Sequence, residues 1–263
     1  MNFPDVEGYK VLKYLGQGGY SKVYLVESAR SHKLYACKIV DKNNKHIQNE
    51  IKNQFKVHKH KYVCGIYKHF EDDTSIYIIL EYFESSLGKQ LHDIKIVSEG
   101  QTCIIIKQIL ETVQYLHDND IVHCDLKPGN ILSFFSRKNR TYEYVICDFG
   151  LAEDISNGRR LKDKKGTPNY IAPEVANREL YDSKADVWSL GVIMYRMLLG
   201  VYPFHAESKD EIYKRVRIGK FTYPSNRNIS DDAKEVINAM MTINQNDRLT
   251  IKEVLELDFF KCC

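Results

Sequence analysis

The hydrophobic period of this chain changes at Phe83, and that change constrains the fold more than any other feature. Before it, apolar residues alternate as they do in strands: Tyr9, Val11 and Tyr14, then Val23 to Val26, then Leu34 to Val40, then Ile66 to Phe70 and Ile76 to Leu80. Gly8, the run Gly16-Gln17-Gly18-Gly19, the stretch 30–33 and the turn Glu71-Asp72-Asp73 punctuate them. One polar helix is expected over Lys45 to Val57. After Phe83 the spacing becomes helical. Ser98 with Gln101, Ser208 with Glu211 and Thr250 with Glu253 read as capping boxes. The first of these helices should bury Ile105, Ile109, Val113 and Leu116. Another runs from about Lys184 to Leu199, stops at Gly200, and is apolar on most sides, as a buried core helix is. The pattern predicts an α+β chain with a small antiparallel-sheet N-lobe and a larger helical C-lobe.

Composition narrows the function classes. The 263 residues are 43% hydrophobic and 28% charged, with a formal net charge of +3. Nucleic-acid binding calls for a basic stripe or an isoelectric point above about 9, so no nucleic-acid partner is expected. The seven cysteines include no CxxC pair and are odd in number, which predicts reduced thiols in an intracellular setting, cytoplasm or nucleus. The opening MNFPDVEGYK has no apolar signal core, and no apolar run is long enough to span a bilayer. The closing Lys261-Cys262-Cys263 follows no polybasic run, so no lipid anchor is expected.

The chemistry concentrates in two places. His123-Cys124-Asp125-Leu126-Lys127-Pro128-Gly129-Asn130 is followed by a short apolar strand and then Asp148-Phe149-Gly150. Asp125 can accept the proton of an attacking hydroxyl, and Lys127 can neutralise a phosphate. Asn130 and Asp148 are oxygen ligands suited to Mg²⁺, which keeps most of its waters. The second place is the glycine-rich turn Gly16 to Val23, whose bare backbone can approach phosphate oxygens. Lys38 follows on the next strand, bracketed by Ala36 and Ile39. A lysine there needs a carboxylate to orient it. Glu50 is the choice; Glu27 lies on the wrong strand. Because the gap from Lys38 to Glu50 is short, the helix must begin late.

From Tyr9 to Phe260 the chain resembles a eukaryotic protein kinase. The further landmarks are Gly166-Thr167-Pro168-Asn169-Tyr170-Ile171-Ala172-Pro173-Glu174, Asp186-Val187-Trp188-Ser189-Leu190-Gly191 and Arg248. The resemblance implies a bilobal protein-kinase fold, one domain over residues 9–260 with its N-lobe at 9–83 and its C-lobe at 84–260, and ATP and Mg²⁺ in the cleft. It implies that Gly16, Gln17, Gly18, Gly19, Tyr20, Ser21, Lys22 and Val23 cover the phosphates. Leu15, Val23, Ala36 and Leu132 would sandwich the adenine beside a hinge at Glu81 and Phe83. Glu174 would pair with Arg248, and Asp186 would anchor the catalytic loop. Lys127 with Thr167 resembles the serine/threonine class, with serine and threonine hydroxyls of proteins as acceptors and a monomeric enzyme. The nearest likeness is to polo-like kinases, through GxGGYSKVY, GTPNYIAPEV and Ile212-Tyr213-Lys214-Arg215-Val216, which would imply a cell-cycle role. Polo boxes are not expected in this chain. A calcium/calmodulin- or checkpoint-type kinase is the rival. The intact motif set speaks against a pseudokinase scaffold, and the Gly166–Glu174 segment against a small-molecule phosphotransferase.

Several positions depart from that pattern. Cys124 stands where most kinases carry an arginine that binds an activating phosphate, so activity without activation-loop phosphorylation is expected. Asp163 aligns with the activating threonine of polo-like kinases; either it pairs with Lys162, Lys164 or another lysine, or it is one solvated charge. Gly129 and Arg196 replace the acids of basophilic kinases, which predicts a preference for acidic sequences; Arg196 could equally be solvated. Gln54 puts a polar residue where an apolar one usually packs the helix. Cys147 is read either as a cleft-facing thiolate or as an inert buried thiol.

Overall fold

The computed structural model describes residues 3–18 and 21–261. Gly19 and Tyr20 of the glycine turn and the terminal Cys262 and Cys263 lie outside the described residues. The alternating first third forms β1 (Tyr9–Gln17), β2 (Ser21–Ser28), β3 (Leu34–Asp41), helix α1 (Ile47–Val57), β4 (Ile66–Glu71) and β5 (Ser75–Glu81). The strands make one antiparallel sheet in the order β1-β2-β3-β5-β4. Register follows the pattern: Val23 lies opposite Lys38, and Ala36 opposite Leu80. Val40, Ile66, Ile76 and Ile78 on one face bury Ile47 and Ile51 of α1.

Helix α1 begins at Ile47, two residues later than the polar pattern suggests. The cause is local turn chemistry: the Asp41 side chain accepts from the Asn43 amide and that of Asn44 from the His46 amide. Glu50 thereby falls in the first helical turn.

Beyond Phe83 come β6 (Ser85–Ser86), α2 (Leu87–Ile94), α3 (Glu99–Asp118), β7 (Ile121–Val122), β8 (Ile131–Ser136), β9 (Thr141–Ile146), β10 (Glu153–Asp154), α4 (Pro173–Ala176), α5 (Lys184–Leu199), α6 (Lys209–Ile218), α7 (Asp231–Met240) and α8 (Ile251–Leu255). The single strand expected after Asn130 is a hairpin, β8 paired antiparallel with β9. Helix α2, capped by Ser86, escaped the periodic reading because it is only eight residues long. Of the three expected capping boxes only Thr250–Glu253 is reciprocal. Ser98 and Ser208 cap their helices from one side only, and Glu211 turns to Lys214 and Arg215 instead.

Helices α3 and α5 carry the C-lobe core. Ile109, Val113 and Leu116 are buried as expected, while Ile105 is only partly so. Helix α5 is buried on nearly every side and ends in left-handed Gly200 (φ 75°), whose amide donates to the Arg196 carbonyl. Trp188 stacks on Phe204 at 5.7 Å, and the Arg248 guanidinium lies 5.1 Å from its ring. Arg248 donates to both oxygens of Glu174 at 2.6 and 2.9 Å, with both side chains buried. No helix among the described residues is long and apolar enough to cross a membrane.

Candidate active site

The site is built where the sheet faces the loops between β7 and β10. Lys38, on the buried centre of β3, reaches Glu50 Oε1 at 2.5 Å and Asp148 Oδ1 at 2.9 Å. Burial alone would lower the Lys38 pKa, but Asp148 and Glu50 outweigh it and raise it, so the ammonium keeps its charge. Burial pushes the Glu50 carboxyl up, and Lys38 draws it back. Burial in the cleft would likewise raise Asp148. Its side chain remains 44% exposed, however, and Lys38 holds its pKa below the usual value.

The second group lies on the loop after β7. Asp125 Oδ1 accepts from Thr167 Oγ1 at 2.6 Å, and Oδ2 from Lys127 Nζ at 2.6 Å and Asn130 Nδ2 at 3.2 Å. Lys127 also donates to Thr167 Oγ1 at 3.0 Å. Asn130 donates once more to the Asp125 carbonyl at 2.9 Å. With its amide hydrogens spent on Asp125, Asn130 keeps Oδ1 as an acceptor, and Asp148 keeps an exposed carboxylate. Two hard oxygen donors on adjoining loops suit a small divalent cation.

The loop is held from below. Asp186, buried at the start of α5, accepts from the amides of His123 (2.8 Å) and Cys124 (3.0 Å) and contacts His117 Nε2 at 3.0 Å. Burial would raise the Asp186 pKa, but these donors lower it. The His123 ring accepts from the Asp125 amide at Nδ1 (3.3 Å), and its Nε2 faces the Cys147 carbonyl at 3.1 Å. Cys124 and Asp148 both adopt a positive φ of 64°, costly for side-chain-bearing residues and a mark of a functional loop held by its surroundings.

The description "Protein kinase domain" fits residues 9–260 of this sequence. This chain belongs to the protein kinase family. Similar proteins include serine/threonine-protein kinase PLK2 of Mus musculus, 36% identical over 258 residues, covering 94% of this chain and 36% of that protein. Calcium-dependent protein kinase 5 of Plasmodium falciparum (isolate 3D7) is 37% identical over 264 residues, covering 96% and 45%. Calcium-dependent protein kinase 4 of Plasmodium berghei (strain Anka) is 35% identical over 271 residues, covering 97% and 50%. The chain spans between about a third and a half of the length of these relatives. Polo-like and calcium-dependent kinases match it about equally well.

In this kinase the glycine turn closes β1 on β2: Gly16 pairs with Val23, Gln17 with Lys22, and the Gly18 amide donates to the Ser21 carbonyl at 2.9 Å. Leu15, Val23 and Ala36 sit on three successive strands; Ala36 is buried and Leu15 exposed. Leu132 comes from β8 in the other lobe, where it pairs with Ser86. Glu81 ends β5 with its amide on the Gly65 carbonyl, and the Phe83 ring lies 5.7 Å from Phe134.

One expectation changes and three open alternatives are narrowed. Gln54 does not unsettle α1: it is buried and donates to the Cys64 carbonyl at 2.9 Å. Asp163 is exposed, and neither Lys162 nor Lys164 pairs with it; Lys164 lies over the Tyr213 ring at 3.2 Å. Only the Asp163 carbonyl is bound, by the Tyr181 hydroxyl at 3.0 Å. Arg196 is not simply solvated but stacks on Tyr202 at 4.5 Å. Burial pushes the Cys147 thiol well above its ordinary pKa, which favours the inert-thiol reading.

Sequence reasoning missed Asn53, which is buried and donates to the Ala152 carbonyl at 2.8 Å, just past Asp148-Phe149-Gly150. The signal was present. Glu50, Asn53, Gln54 and Val57 form a stripe at helical spacing, but a polar stripe reads as solvent-facing unless its partners are known. Also missed were His117 against Asp186 and the ion pair of Lys165 with Glu153 at 2.6 Å.

Proposed function

We propose that this chain is an active serine/threonine protein kinase that transfers the γ-phosphoryl group of Mg-ATP to protein hydroxyls. The observation that carries the reading is the Asp125–Lys127–Thr167 network set beside the Lys38–Glu50–Asp148 triad. Asp125 takes the proton from the attacking hydroxyl, with its oxygens oriented by Thr167, Lys127 and Asn130. Lys127 offsets charge on the transferring group, and Lys38, fixed by Glu50, orients the phosphates. Asn130 and Asp148 would hold Mg²⁺, which when bound supplies neutralisation of phosphate charge. Purified protein with Mg-ATP and casein tests the reading. Asp125→Asn should lower kcat by about 10²–10⁴-fold while nucleotide binding stays unchanged; unchanged turnover would overturn it.

The finer reading is a polo-like kinase acting inside the cell on acidic sequences and needing no activation-loop phosphate. Exposed Gly129 and the stacked Arg196 support the substrate preference, since neither offers a carboxylate to a basic peptide. Strong selection for arginine N-terminal to the acceptor in a positional peptide library would contradict it. Neutral Cys124 supports the independence from phosphate.

A further inference from the structure

We infer that Glu153 and Lys165 form a built-in clamp that holds the peptide-facing segment against the catalytic loop, doing with two side chains what needs no added phosphate. The inference rests on the kinase reading above and supplies the positioning pair that reading lacked.

Lys165 Nζ lies 2.6 Å from Glu153 Oε1, and the side chains are only 12% and 21% exposed. An ion pair so shielded from water and salt has a fixed geometry, unlike the typical surface pair. Its placement matters more than its strength. Glu153 is on β10, opposite Val122 of β7, and Val122 leads directly into His123, Cys124 and Asp125. Lys165 stands two residues before Thr167, whose hydroxyl donates to Asp125 at 2.6 Å. The contacts therefore close a ring: Asp125 to Thr167, along the chain to Lys165, across to Glu153, across the ladder to Val122, and back to Asp125. Every member of the ring is fixed by another member.

Other ties bring the segment to this point but do not close the ring. Leu161 and Tyr181 exchange two backbone hydrogen bonds of 2.8 Å. Arg160 bonds the Leu180 carbonyl at 3.1 Å and lies 3.4 Å from Asp182. These fix the segment to the helical lobe. Glu153–Lys165 is the short, shielded tie that joins it to the strand pair carrying the catalytic loop. Arg159, 3.7 Å from the second Glu153 oxygen, is more than half exposed and supports the same carboxylate. Cys124, partly buried, lies beside the pair, with Lys165, Glu153 and Tyr181 all acting on its thiol. A cation at position 124 would compete with Lys165 for Glu153; a neutral thiol leaves the pair intact.

The test uses the full chain, expressed in bacteria, treated with phosphatase and verified as unmodified by mass spectrometry. Glu153→Gln and Lys165→Gln keep shape and remove charge. Each should lower kcat/KM for a peptide on the order of tenfold, the size of a coupled pair interaction. Nucleotide affinity, read by titration with a fluorescent ATP analogue, should stay unchanged. Amide exchange over residues 159–167 should quicken. Lys165→Arg, which keeps the charge, and the exchanged pair Glu153→Lys with Lys165→Glu should recover both activity and protection. Gln variants that match the parent in turnover and exchange overturn the clamp. So does a Lys165→Arg variant as poor as Lys165→Gln. If the parent turns nothing over, the kinase reading fails, and the exchange measurements still decide whether the clamp exists.

Discussion

Gly166 lies so close to Cys124 that a Cβ on the glycine would sit 2.7 Å from the cysteine carbonyl oxygen. Its φ of +103° is also one that side-chain-bearing residues rarely adopt. The carbonyl belongs to backbone anchored on Asp186 and cannot easily withdraw. Gly166→Ala should therefore push Thr167 away from Asp125. We expect kcat/KM to fall at least about tenfold, in line with strain of roughly 1–3 kcal/mol, while the circular dichroism spectrum is retained. Alanine tolerated at full turnover would show that the segment and the loop move together freely.

Lys38→Met leaves Glu50 and Asp148 without their shared cation. Phosphate orientation should be lost, and transfer should fall by about 10²-fold or more. Steady-state assays at saturating Mg-ATP check this. A variant keeping more than about a tenth of parental turnover would show that Lys38 does not position the phosphates.

Arg248→Met strands Glu174 in the core. Breaking a buried, doubly hydrogen-bonded pair from one side costs about 3–5 kcal/mol. The denaturant midpoint should drop accordingly, with the slope unchanged. A drop smaller than about 1 kcal/mol would place the pair in the range of exposed ones.

Asp186 gives a pH dependence of definite sign. Its folded pKa is depressed, so its contribution to stability is fully present above the unfolded value of about 3.9. It fades as pH falls from there through the lower folded value. Unfolding followed between about pH 6 and pH 2 should show this loss in the parent protein. In Asp186→Asn that component should be absent and stability at neutral pH lower. An identical acid profile in the two proteins would assign the acid sensitivity elsewhere.

Cys147 should resist electrophiles at neutral pH. Its raised pKa keeps it a thiol at any pH well below that value, and the thiol is the poor nucleophile. Mass spectrometry after brief treatment with a cleft-directed electrophile at pH 7 should find it unlabelled with or without ATP. Rapid, ATP-protected labelling would contradict this.

The sequence was most legible where a residue's role depends on its immediate neighbours. The alternation of β1 to β3, the long buried helix α5 with its Gly200 stop, and the order of Asp125, Lys127, Asn130 and Asp148 are all local patterns. What escaped depends on partners distant in the chain. Asn53 and Gln54 are polar, and only carbonyls of Ala152 and Cys64 make their burial sensible. Glu153 and Lys165 are unremarkable charges until β10 pairs with β7. The hairpin of β8 and β9 was hidden because its turn is a run of polar residues that reads as an end rather than a reversal. Alignment left Asp163 open between a paired and a solvated charge, and the carboxylate that meets a lysine of this segment is Glu153, ten residues earlier on β10.

The two buried amides of α1 have a consequence for how this enzyme can be controlled. Swinging the helix outward would leave the Ala152 and Cys64 carbonyls and both amide groups without partners. At a net of about 0.5–1.5 kcal/mol for each bond exchanged for water, the two together weigh against a swung-out helix by about 1–3 kcal/mol. Many enzymes keep an idle form in reserve and wait for a signal to abandon it. Here leaving the inward position means giving up two bonds at once, so α1 is moored to the cleft through Ala152 and to its own sheet through Cys64.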